Sequence, residues 1–328
     1  MSFRGGEPLL NFKVIRKMVE YAEEIKGTKI IHYTIVSNLI ALNETIIDFF
    51  CKYGFQVSTS LDGPKDVHDN NRRHQGPLGS FEHVLRGIGK LQERGVCAGA
   101  IQTTTRRSLT KPLEIVRTYQ ALGLDGIFIR PLTPLGCAKD HWGEIGYTPQ
   151  EYLDFYRKAL EYIIELNKQG TYFRESYASI LLCKILRHQS ENYMELRSPC
   201  GAGVGQLAYN YDGNVYTCDE GRMVAEAGDK AFCLGNVSEN DYNDLMNSQV
   251  CKTTVLSSIT ESIPGCSDCV YQPYCGICPV VSYAMEHNIF PKAPKGYKCQ
   301  INAGIMDILF EMICSDDENL IVFNKGLE

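Results

Sequence analysis

The sequence predicts an α/β fold for its first half, with helices covering a parallel sheet, and a smaller cysteine-rich region for its second half. Short apolar runs alternate with amphipathic helical patterns as far as about residue 190, as in proteins built from repeated strand–helix units. Ten of the 14 cysteines lie between Cys200 and Cys314. A chain of 328 residues is long enough for two domains, and we place their boundary between residues 185 and 197.

Four strands are predicted in the first half, because four short stretches have strand-like patterns. These stretches are residues 30–36, 55–60, 98–103 and 126–130. Amphipathic helices are predicted between the strands, and a longer helix is predicted at residues 149–170. The first of these helices has four apolar residues on one face, namely Leu10, Val14, Met18 and Ala22.

Polar residues follow several of the predicted strands at the point where each strand ends. Ser37 and Asn38 follow the strand predicted at residues 30–36, Ser60 and Asp62 stand at the end of the next strand, and Arg130 ends the strand at residues 126–130. Each residue taken alone is equally well explained as a turn former. Because the carboxyl ends of parallel strands meet at one edge of a sheet, the repeated pattern predicts a shared ligand cleft there.

The composition argues against two classes of partner. The net charge is -6 and no long basic run occurs, whereas nucleic-acid binding needs clustered Lys and Arg. No run of 18 apolar residues is present, so no membrane span is predicted. The N-terminus also lacks the pattern of a signal peptide. We therefore expect a cytoplasmic protein that binds neither nucleic acid nor membrane.

The second half contains a C-x2-C-x5-C-x2-C run, in which each pair of cysteines can bind one metal ion or one cluster. The run consists of Cys266, Cys269, Cys275 and Cys278, and three more cysteines stand at compatible positions, Cys200, Cys218 and Cys299. Zinc is one alternative, because two such pairs make a tetrahedral site. The spacer is shorter than in most zinc modules, and seven thiolates exceed the needs of one zinc ion. Iron–sulfur ligation is the preferred interpretation.

The cysteine pattern resembles the SPASM domain of radical S-adenosylmethionine (SAM) maturases. It runs Cys200-x12-Gly213-x4-Cys218, then the four-cysteine run, then Cys299. The resemblance implies two auxiliary 4Fe-4S clusters, the first bound by Cys200, Cys218 and Cys278, and the second by Cys266, Cys269, Cys275 and Cys299. The family usually has three residues within the last pair, where this sequence has two. The fourth ligand of the first cluster is predicted to be an open or non-cysteine position.

The run Gly5-Gly6-Glu7-Pro8 precedes a predicted helix and resembles the GGEP motif of radical SAM enzymes. In that family the motif contacts the amino group of SAM. The residue types suit this role, because an ammonium group needs acceptors and glycine permits a close approach. Taken alone, Glu7 is also explained as a carboxylate at the start of a helix.

Residues 58–64, with the sequence STSLDGP, resemble the SLDGP segment of the same family. The resemblance implies that Ser60 lies beside SAM and that Asp62 borders the substrate. The other residues that it assigns to cofactor or substrate contacts are Ser37, Asn38, Arg72 or Arg73, and Arg130.

Radical SAM chemistry requires a C-x3-C-x2-C loop to hold the SAM-binding 4Fe-4S cluster, and this spacing does not occur in the sequence. We therefore expect a truncated chain whose first half is a partial (β/α)6 TIM-like barrel without its first strand. The resemblance implies that residues 1–3 are the end of the second barrel strand. The SAM-binding cluster is expected only in the full-length protein, and the chain as given should not cleave SAM. The expected domains are the partial barrel at residues 1–190, the SPASM domain at 191–305, and a C-terminal helix and tail at 306–328.

The resemblance implies a radical SAM oxidoreductase that modifies a ribosomally made peptide or protein by hydrogen abstraction. The auxiliary clusters would accept electrons, and an external donor would supply them. Residues 200–223 look like the maturase of the His-Xaa-Ser peptide system, and the chain is also similar to anaerobic sulfatase-maturating enzymes. Asp219 matches an acid proposed as general base in the latter enzymes, although a solvated acid explains it equally well.

Two other classes of function remain open. A non-catalytic zinc or iron–sulfur module that binds a peptide is favoured by the absence of the C-x3-C-x2-C spacing. An electron-transfer protein would need only the clusters, but it would leave the GGEP and SLDGP segments unexplained.

Overall fold

The computed structural model describes residues 1–72 and 79–326. The chain forms two compact units. The first consists of Met1–Pro131 and Lys158–Ser176, and the second of Leu132–Arg157 and Tyr177–Glu328. The chain passes from one unit to the other within a long helix at Pro149–Lys168 and again at the start of the helix Ser176–Arg187.

The first unit is built on a parallel sheet whose six strands follow one another in chain order. The strands are β1 (Ser2–Phe3), β2 (Thr34–Val36), β3 (Gln56–Ser60), β4 (Ala98–Thr103), β5 (Gly126–Arg130) and β6 (Arg174–Glu175). In the register of the sheet, Val36 lies opposite Ser58, and Thr103 lies opposite Arg130. The predicted α/β class is confirmed, and so are the four strands predicted from pattern, although β2 begins at Thr34 and not at residue 30. Strand β1 lies at the residues that the family resemblance gives as the end of a strand. Strand β6 is additional, because two charged residues give no apolar run from which a strand could be predicted.

Among the described residues, five helices lie between β1 and β5, and four of them bury three or more apolar residues. They are α1 (Phe12–Ile25), α2 (Glu44–Tyr53), α3 (Lys65–Asn71), α4 (Phe81–Glu93) and α5 (Pro112–Ala121). Helix α2 shows how the sequence sets its ends. The Asn43 side chain accepts a hydrogen bond from the Ile46 amide at 3.1 Å, and Gly54 ends the helix with a φ of 63°.

The apolar residues noted on one face of this segment are not all buried. Leu10, Val14 and Met18 are 79%, 44% and 45% exposed, whereas Ile15 and Val19 are buried together with Ala22. The stripe through Leu10, Val14 and Met18 is therefore not the face that α1 buries. The physical reason is that this segment carries two apolar stripes, and periodicity alone does not show which of them packs against the sheet.

The second unit combines helices with a small antiparallel sheet of order β7-β8-β9. Its strands are β7 (Ala208–Tyr209), β8 (Asn214–Tyr216) and β9 (Cys233–Asn236). Strands β7 and β8 form a hairpin through Asp212-Gly213, since Ala208 pairs with Tyr216 and Gly213 has a φ of 83°.

The helices that complete the chain are mostly short. They are α6 (Cys137–Asp140), α7 (Trp142–Ile145), α8 (Pro149–Lys168), α9 (Ser176–Arg187), α10 (Asp219–Glu226), α11 (Tyr242–Asn247), α12 (Gln249–Leu256), α13 (Pro279–Glu286), α14 (Tyr297–Ser315) and α15 (Asp317–Lys325). Single 3-10 turns span Pro8–Asn11, Ser108–Thr110, Met194–Leu196 and Thr260–Ser262. Within the residues that the structure describes, no helix is both long enough and apolar enough to span a membrane.

We predict that Thr59→Val raises the free energy of unfolding by about 1 kcal/mol, because an unpaired buried hydroxyl is costly. The Thr59 hydroxyl in β3 is buried and has no hydrogen-bond partner among the described residues. Urea unfolding followed by circular dichroism measures the change. Thr104→Val is the matched control and should lower the same free energy, since the Thr104 hydroxyl donates to Gln102 Oε1 at 2.9 Å. Equal losses in both variants would contradict the prediction.

Candidate cofactor cavity and cysteine sites

A cavity of about 660 Å³ lies where strands β1, β2 and β3 end. Among the residues that line it are Gly6, Glu7, Ser37, Asn38, Ser60 and Arg72. Five of these six are predicted cofactor residues, and Arg72 is one of the two arginines between which the prediction left the choice open. The five come from three segments that are far apart in the sequence. Parallel pairing of the strands brings the loops together at one edge of the sheet.

The Glu7 carboxylate joins two of these loops. Its Oε1 accepts hydrogen bonds from Ser37 Oγ at 2.7 Å and from the Leu9 amide at 3.1 Å, and its Oε2 accepts one from the Asn38 amide at 2.8 Å. Glu7 is also the N-cap of the 3-10 turn that Pro8 begins. The carboxylate therefore fixes the loop after β1 against the loop after β2.

Gly6 gives the loop after β1 a conformation that other residues rarely adopt. Its φ is 55°, and no atom lies within 4 Å of the position that a Cβ would occupy. Gly5, with a φ of 87°, is in the same region of conformational space. Gly6 thus leaves open space beside the backbone at the rim of the cavity.

Asp62 lies behind the cavity and holds Arg72. The Asp62 side chain is 1% exposed, and its two oxygens accept hydrogen bonds from Arg72 Nε at 2.9 Å and Nη2 at 3.1 Å. The Thr103 amide donates to the same carboxylate at 3.2 Å. Bidentate pairing of this kind orients a guanidinium group strongly. Asp62 thus positions Arg72, which lines the cavity, whereas Asp62 itself is not part of the lining.

Two further predicted cofactor residues are not among the described residues that line the cavity. Pro8 starts the 3-10 turn behind Glu7. Arg130 ends β5, where its guanidinium stacks on the Phe128 ring at 5.3 Å. Arg73, also predicted, lies outside the described residues.

A buried histidine next to the cavity was not predicted from the sequence. His68 is fully buried, its Nδ1 accepts a hydrogen bond from the Asp62 amide at 3.3 Å, and its Nε2 lies 3.0 Å from Ser80 Oγ. Ser80 Oγ donates to the Arg72 carbonyl at 3.0 Å, so His68 carries its proton on Nε2. Burial lowers the pKa of His68. A single histidine in a helical segment gives no signal from which this network could be inferred.

Three of the predicted metal ligands lie in one buried cluster of the second unit. Cys200, Cys218 and Cys278 pack there with apolar residues such as Phe232 and Val281. Cys218 is the N-cap of α10, and its sulfur accepts a hydrogen bond from the Gly221 amide at 3.4 Å. Burial raises the pKa of Cys278 to about 12 and the pKa of Cys218 well above its usual value. We call these three residues the first cysteine set.

The other four predicted ligands form a second group, which is half-buried. These residues, the second cysteine set, are Cys266, Cys269, Cys275 and Cys299. Burial raises the pKa of Cys299 to about 11, and the charges of Cys275, Cys266 and Cys269 add to this shift. A cavity of about 60 Å³ is lined by Cys266, Cys275 and Cys299, with Cys278 of the first set also on its wall.

Charged side chains surround the two cysteine sets. Lys298 Nζ lies 2.8 Å from Glu195 Oε2, and Lys298 lines the same small cavity as Cys275 and Cys278. Burial is the largest cause of the raised pKa of Cys278, whereas Lys298 lowers that pKa. Glu220, two residues after Cys218, acts in the opposite direction and raises the pKa of all three thiols of the first set. The electrostatic potential at the first set therefore has contributions from both a cation and a carboxylate.

The donor atoms fit iron–sulfur ligation. All 14 cysteines are free, so every thiol of both sets is available as a ligand. Thiolates are soft ligands that suit iron–sulfur clusters and zinc alike. Among the described residues, no three His, Cys, Asp or Glu side chains are close enough together to hold a single metal ion. Ligation would also replace the protons that burial keeps on these sulfurs.

Asp219 directly follows Cys218 and begins α10. Its Oδ1 accepts hydrogen bonds from Arg222 Nε at 3.0 Å and Nη2 at 2.9 Å, one turn along the helix. The carboxylate is 26% exposed and is therefore accessible to water. The predicted catalytic acid thus lies beside the first cysteine set with its charge paired by an arginine.

Two family models match the chain. The radical SAM superfamily model matches residues 1–107, and the iron–sulfur cluster-binding SPASM domain model matches residues 200–270. The first match includes Glu7 and the other residues of the 660 Å³ cavity. The second match includes Cys200, Cys218, Cys266 and Cys269.

Relatives of known sequence and solved structures agree with these matches. The cysteine-type anaerobic sulfatase-maturating enzyme of Clostridium novyi (strain NT) is 25% identical over 279 residues, which cover 84% of this chain and 71% of that protein. The structure of anSMEcpe with bound AdoMet and the Kp18Cys peptide superimposes with a TM-score of 0.81 at 20% identity, covering 99% of this chain and 85% of that one. The structure of SuiB of Streptococcus suis bound to S-adenosylmethionine has a TM-score of 0.60 at 15% identity. The match covers 89% of this chain and 64% of the SuiB chain. At these identities the two structures show a shared fold.

The chain carries a radical SAM superfamily domain in residues 1–107 and a SPASM domain in residues 200–270. By family resemblance it is an enzyme of the maturase type, and these two domains imply SAM and iron–sulfur clusters as its cofactors. The predicted family and fold class are confirmed.

We predict that the protein loses stability as the pH falls below about 6.5, the usual pKa of histidine, and that His68→Gln loses this part of the dependence. Burial lowers the pKa of His68, so between 6.5 and that lowered value the unfolded chain binds a proton that the folded chain does not. Acidification over this window therefore favours unfolding. Free energies of unfolding measured from pH 8 to pH 5 test the effect. The exposed His141, changed to Gln, is the control, and an identical pH profile for His68→Gln and wild type would contradict the prediction.

Proposed function

We propose that this protein is a radical SAM oxidoreductase that modifies a ribosomally made peptide or protein by hydrogen abstraction, with two auxiliary 4Fe-4S clusters as electron acceptors. One observation carries the proposal. The second unit holds two separate groups of thiols, the first and second cysteine sets, in a chain whose first unit has a Glu7-centred cavity. Neither a simple binding module nor an electron carrier needs both features.

Glu7 and Arg72 are the residues that we propose for the two ends of the amino acid part of SAM. A carboxylate has about four acceptor positions, and three donors already contact that of Glu7, so capacity remains for an ammonium group. The guanidinium of Arg72, oriented by Asp62, suits a carboxylate. Gly6 would allow the ligand to approach the backbone closely.

The other proposed cofactor residues would act around these two. Ser37, Asn38 and Ser60 line the cavity and would contact the ligand directly. Gly5, Pro8 and Asp62 are not among the residues that line the cavity, and they would shape the loops that carry the lining residues. Arg73 and Arg130 stay predictions for cofactor or substrate contacts.

The first and second cysteine sets are proposed to bind one auxiliary cluster each. When bound, such clusters supply one-electron transfer. The chain contributes sulfur ligands, and the burial of the first set excludes water from it. The first set has three thiols, so its fourth ligand would be an open or non-cysteine position. The main rival is a non-catalytic zinc or iron–sulfur module that binds a peptide.

The C-x3-C-x2-C spacing does not occur in the 328 residues, and this observation favours the rival. No cysteine of this chain is therefore assigned to the SAM-binding 4Fe-4S cluster. SAM cleavage is proposed only for a protein that also contains that spacing. The proposed domain limits are residues 1–190, 191–305 and 306–328.

A peptide or protein is the proposed substrate class. Two structures that share this fold contain peptides, since anSMEcpe is bound to the Kp18Cys peptide and SuiB to the precursor peptide SuiA. A peptide of the His-Xaa-Ser system is the more specific proposal, based on residues 200–223. An external electron donor and a cytoplasmic location complete the proposal.

Asp219 is proposed to accept a proton from the substrate. Its carboxylate is partly accessible and lies next to Cys218, where the product radical would lose its electron. Arg222 fixes the orientation of this carboxylate through two hydrogen bonds. A general base needs a position within hydrogen-bond reach of the proton that it removes, and the pairing with Arg222 would hold it there.

The test of the proposed function is the metal content of the protein after anaerobic purification. We expect a brown protein with about eight irons and eight sulfides, the sum of two 4Fe-4S clusters, and a paramagnetic resonance signal after reduction. A colourless protein with one or two zinc ions would support the rival. Cys200→Ser should remove only the first cluster, and Cys275→Ser should remove only the second.

We predict that Glu7→Gln weakens SAM binding about tenfold or more. The change removes the negative charge of the side chain. It also places an amide N–H group against a backbone N–H that donates to the carboxylate in the wild type, and two donors cannot bond to each other. Isothermal titration calorimetry measures the affinity. Glu24→Gln on the exposed face of α1 is the control and should bind SAM as the wild type does. Equal affinities for wild type and Glu7→Gln, with circular dichroism unchanged, would rule out the proposed contact.

We predict that Asp219→Asn retains both auxiliary clusters but loses peptide modification, because the amide cannot accept the proton. The measurement requires this chain to be joined to a segment with the C-x3-C-x2-C spacing, and it combines mass spectrometry of the peptide with iron analysis. Glu226→Gln, at the other end of α10, is the control and should keep activity. Full modification by Asp219→Asn would remove the proposed role.

A further inference from the structure

A buried amide outside the proposed chemistry contacts the second cysteine set. Asn302 lies on α14 and is 2% exposed, and its Nδ2 is 3.7 Å from Cys275 Sγ. A metal-bound thiolate can only accept hydrogen bonds, so an N–H group directed at it is the compatible partner. Asn302 is not itself a metal ligand in any arrangement that the cysteine pattern implies.

Tyr177 fixes the orientation of this amide. The Tyr177 hydroxyl donates to Asn302 Oδ1 at 2.9 Å, and this leaves the Nδ2 end of the amide directed at Cys275. Tyr177 is 3% exposed, and burial raises its pKa well above the usual value, so its hydroxyl keeps its proton. The three groups therefore form a hydrogen-bonded chain in which the tyrosine donates to the amide and the amide donates to the sulfur.

We propose that Asn302, oriented by Tyr177, raises the reduction potential of the second auxiliary cluster. This inference rests on the proposed function, since it assumes that the second cysteine set binds a cluster. Reduction adds one electron to such a cluster, and an N–H dipole directed at a ligand sulfur stabilises the added negative charge. Asn302 is thus a positioning and tuning residue, separate from the ligands.

The effect is confined to one of the two clusters. Among the described residues, the hydrogen-bond partners of Asn302 are Tyr177 and Cys275, and no cysteine of the first set is among them. Lys298 lines the cavity beside Cys275, but Glu195 pairs its charge at 2.8 Å. Among the described residues, no charged side chain is hydrogen-bonded to the Asn302 amide. The contact therefore predicts a shift in the potential of the second cluster and none in that of the first.

The experiment is a redox titration of the whole chain, reconstituted anaerobically with iron and sulfide and followed by electron paramagnetic resonance. Asn302→Leu removes the donor, and Asn302→Asp keeps the shape but replaces the N–H group with a carboxylate oxygen. Both changes should lower the midpoint potential of one cluster and leave that of the other unchanged. Tyr177→Phe should lower the same potential by a smaller amount, because the amide remains but loses its fixed orientation.

Asn319→Leu on α15 is the matched control. Its Nδ2 donates to the Met312 carbonyl at 3.1 Å, and the variant should leave both potentials unchanged. Unchanged potentials in both Asn302 variants, with full iron content, would overturn the inference while the proposed clusters stand. A wild-type chain that binds no iron would overturn the proposed function and this inference together. If the Asn302 variants lose iron, Tyr177→Phe decides, since a lowered potential supports the inference and an unchanged one refutes it.

Discussion

Parallel pairing of β1, β2 and β3 is the constraint on which the candidate cofactor cavity depends. It aligns the carboxyl ends of three strands whose loops are separated by tens of residues in the sequence. Once the loops are adjacent, the carboxylate of Glu7 can reach Ser37 Oγ and the Asn38 amide. These hydrogen bonds satisfy backbone and side-chain groups at the rim and give the loops a defined shape. The cavity is therefore a product of the sheet register, and the polar residues only complete it.

The second unit presents a different physical problem, which is how to accommodate thiols that ionise poorly. Burial raises the pKa of Cys200, Cys218 and Cys278, so without metal these sulfurs are neutral and pack as apolar groups. Metal ligation would convert them to thiolates in the same low-dielectric surroundings. Lys298 then offsets part of the negative charge, and hydrogen bonds such as that from Gly221 disperse more of it. Packing and metal binding are thus coupled through the same atoms.

Patterns that follow from regular structure were predictable from the sequence, and contacts between distant side chains were not. Ser37 and Ser60 were identifiable because strand ends in a parallel sheet converge. The buried face of α1 was not, because Val14 and Ile15 both belong to apolar stripes and only packing distinguishes them. The assignment of Asp62 needed the position of Arg72, and the Asn302–Cys275 contact joins residues 27 positions apart. Strand β6 escaped prediction because pairing, not hydrophobicity, defines it.

The graded burial of the cysteines has a consequence for chemical labelling. Four of them, Cys51, Cys97, Cys137 and Cys314, are exposed, the second cysteine set is half-buried, and the first set is buried. An alkylating reagent added to the metal-free protein meets these groups in that order, since only a thiolate that the reagent can reach will react. Mass spectra taken over time would therefore rank the cysteines by burial. The cysteines that are alkylated most slowly would be those in the core.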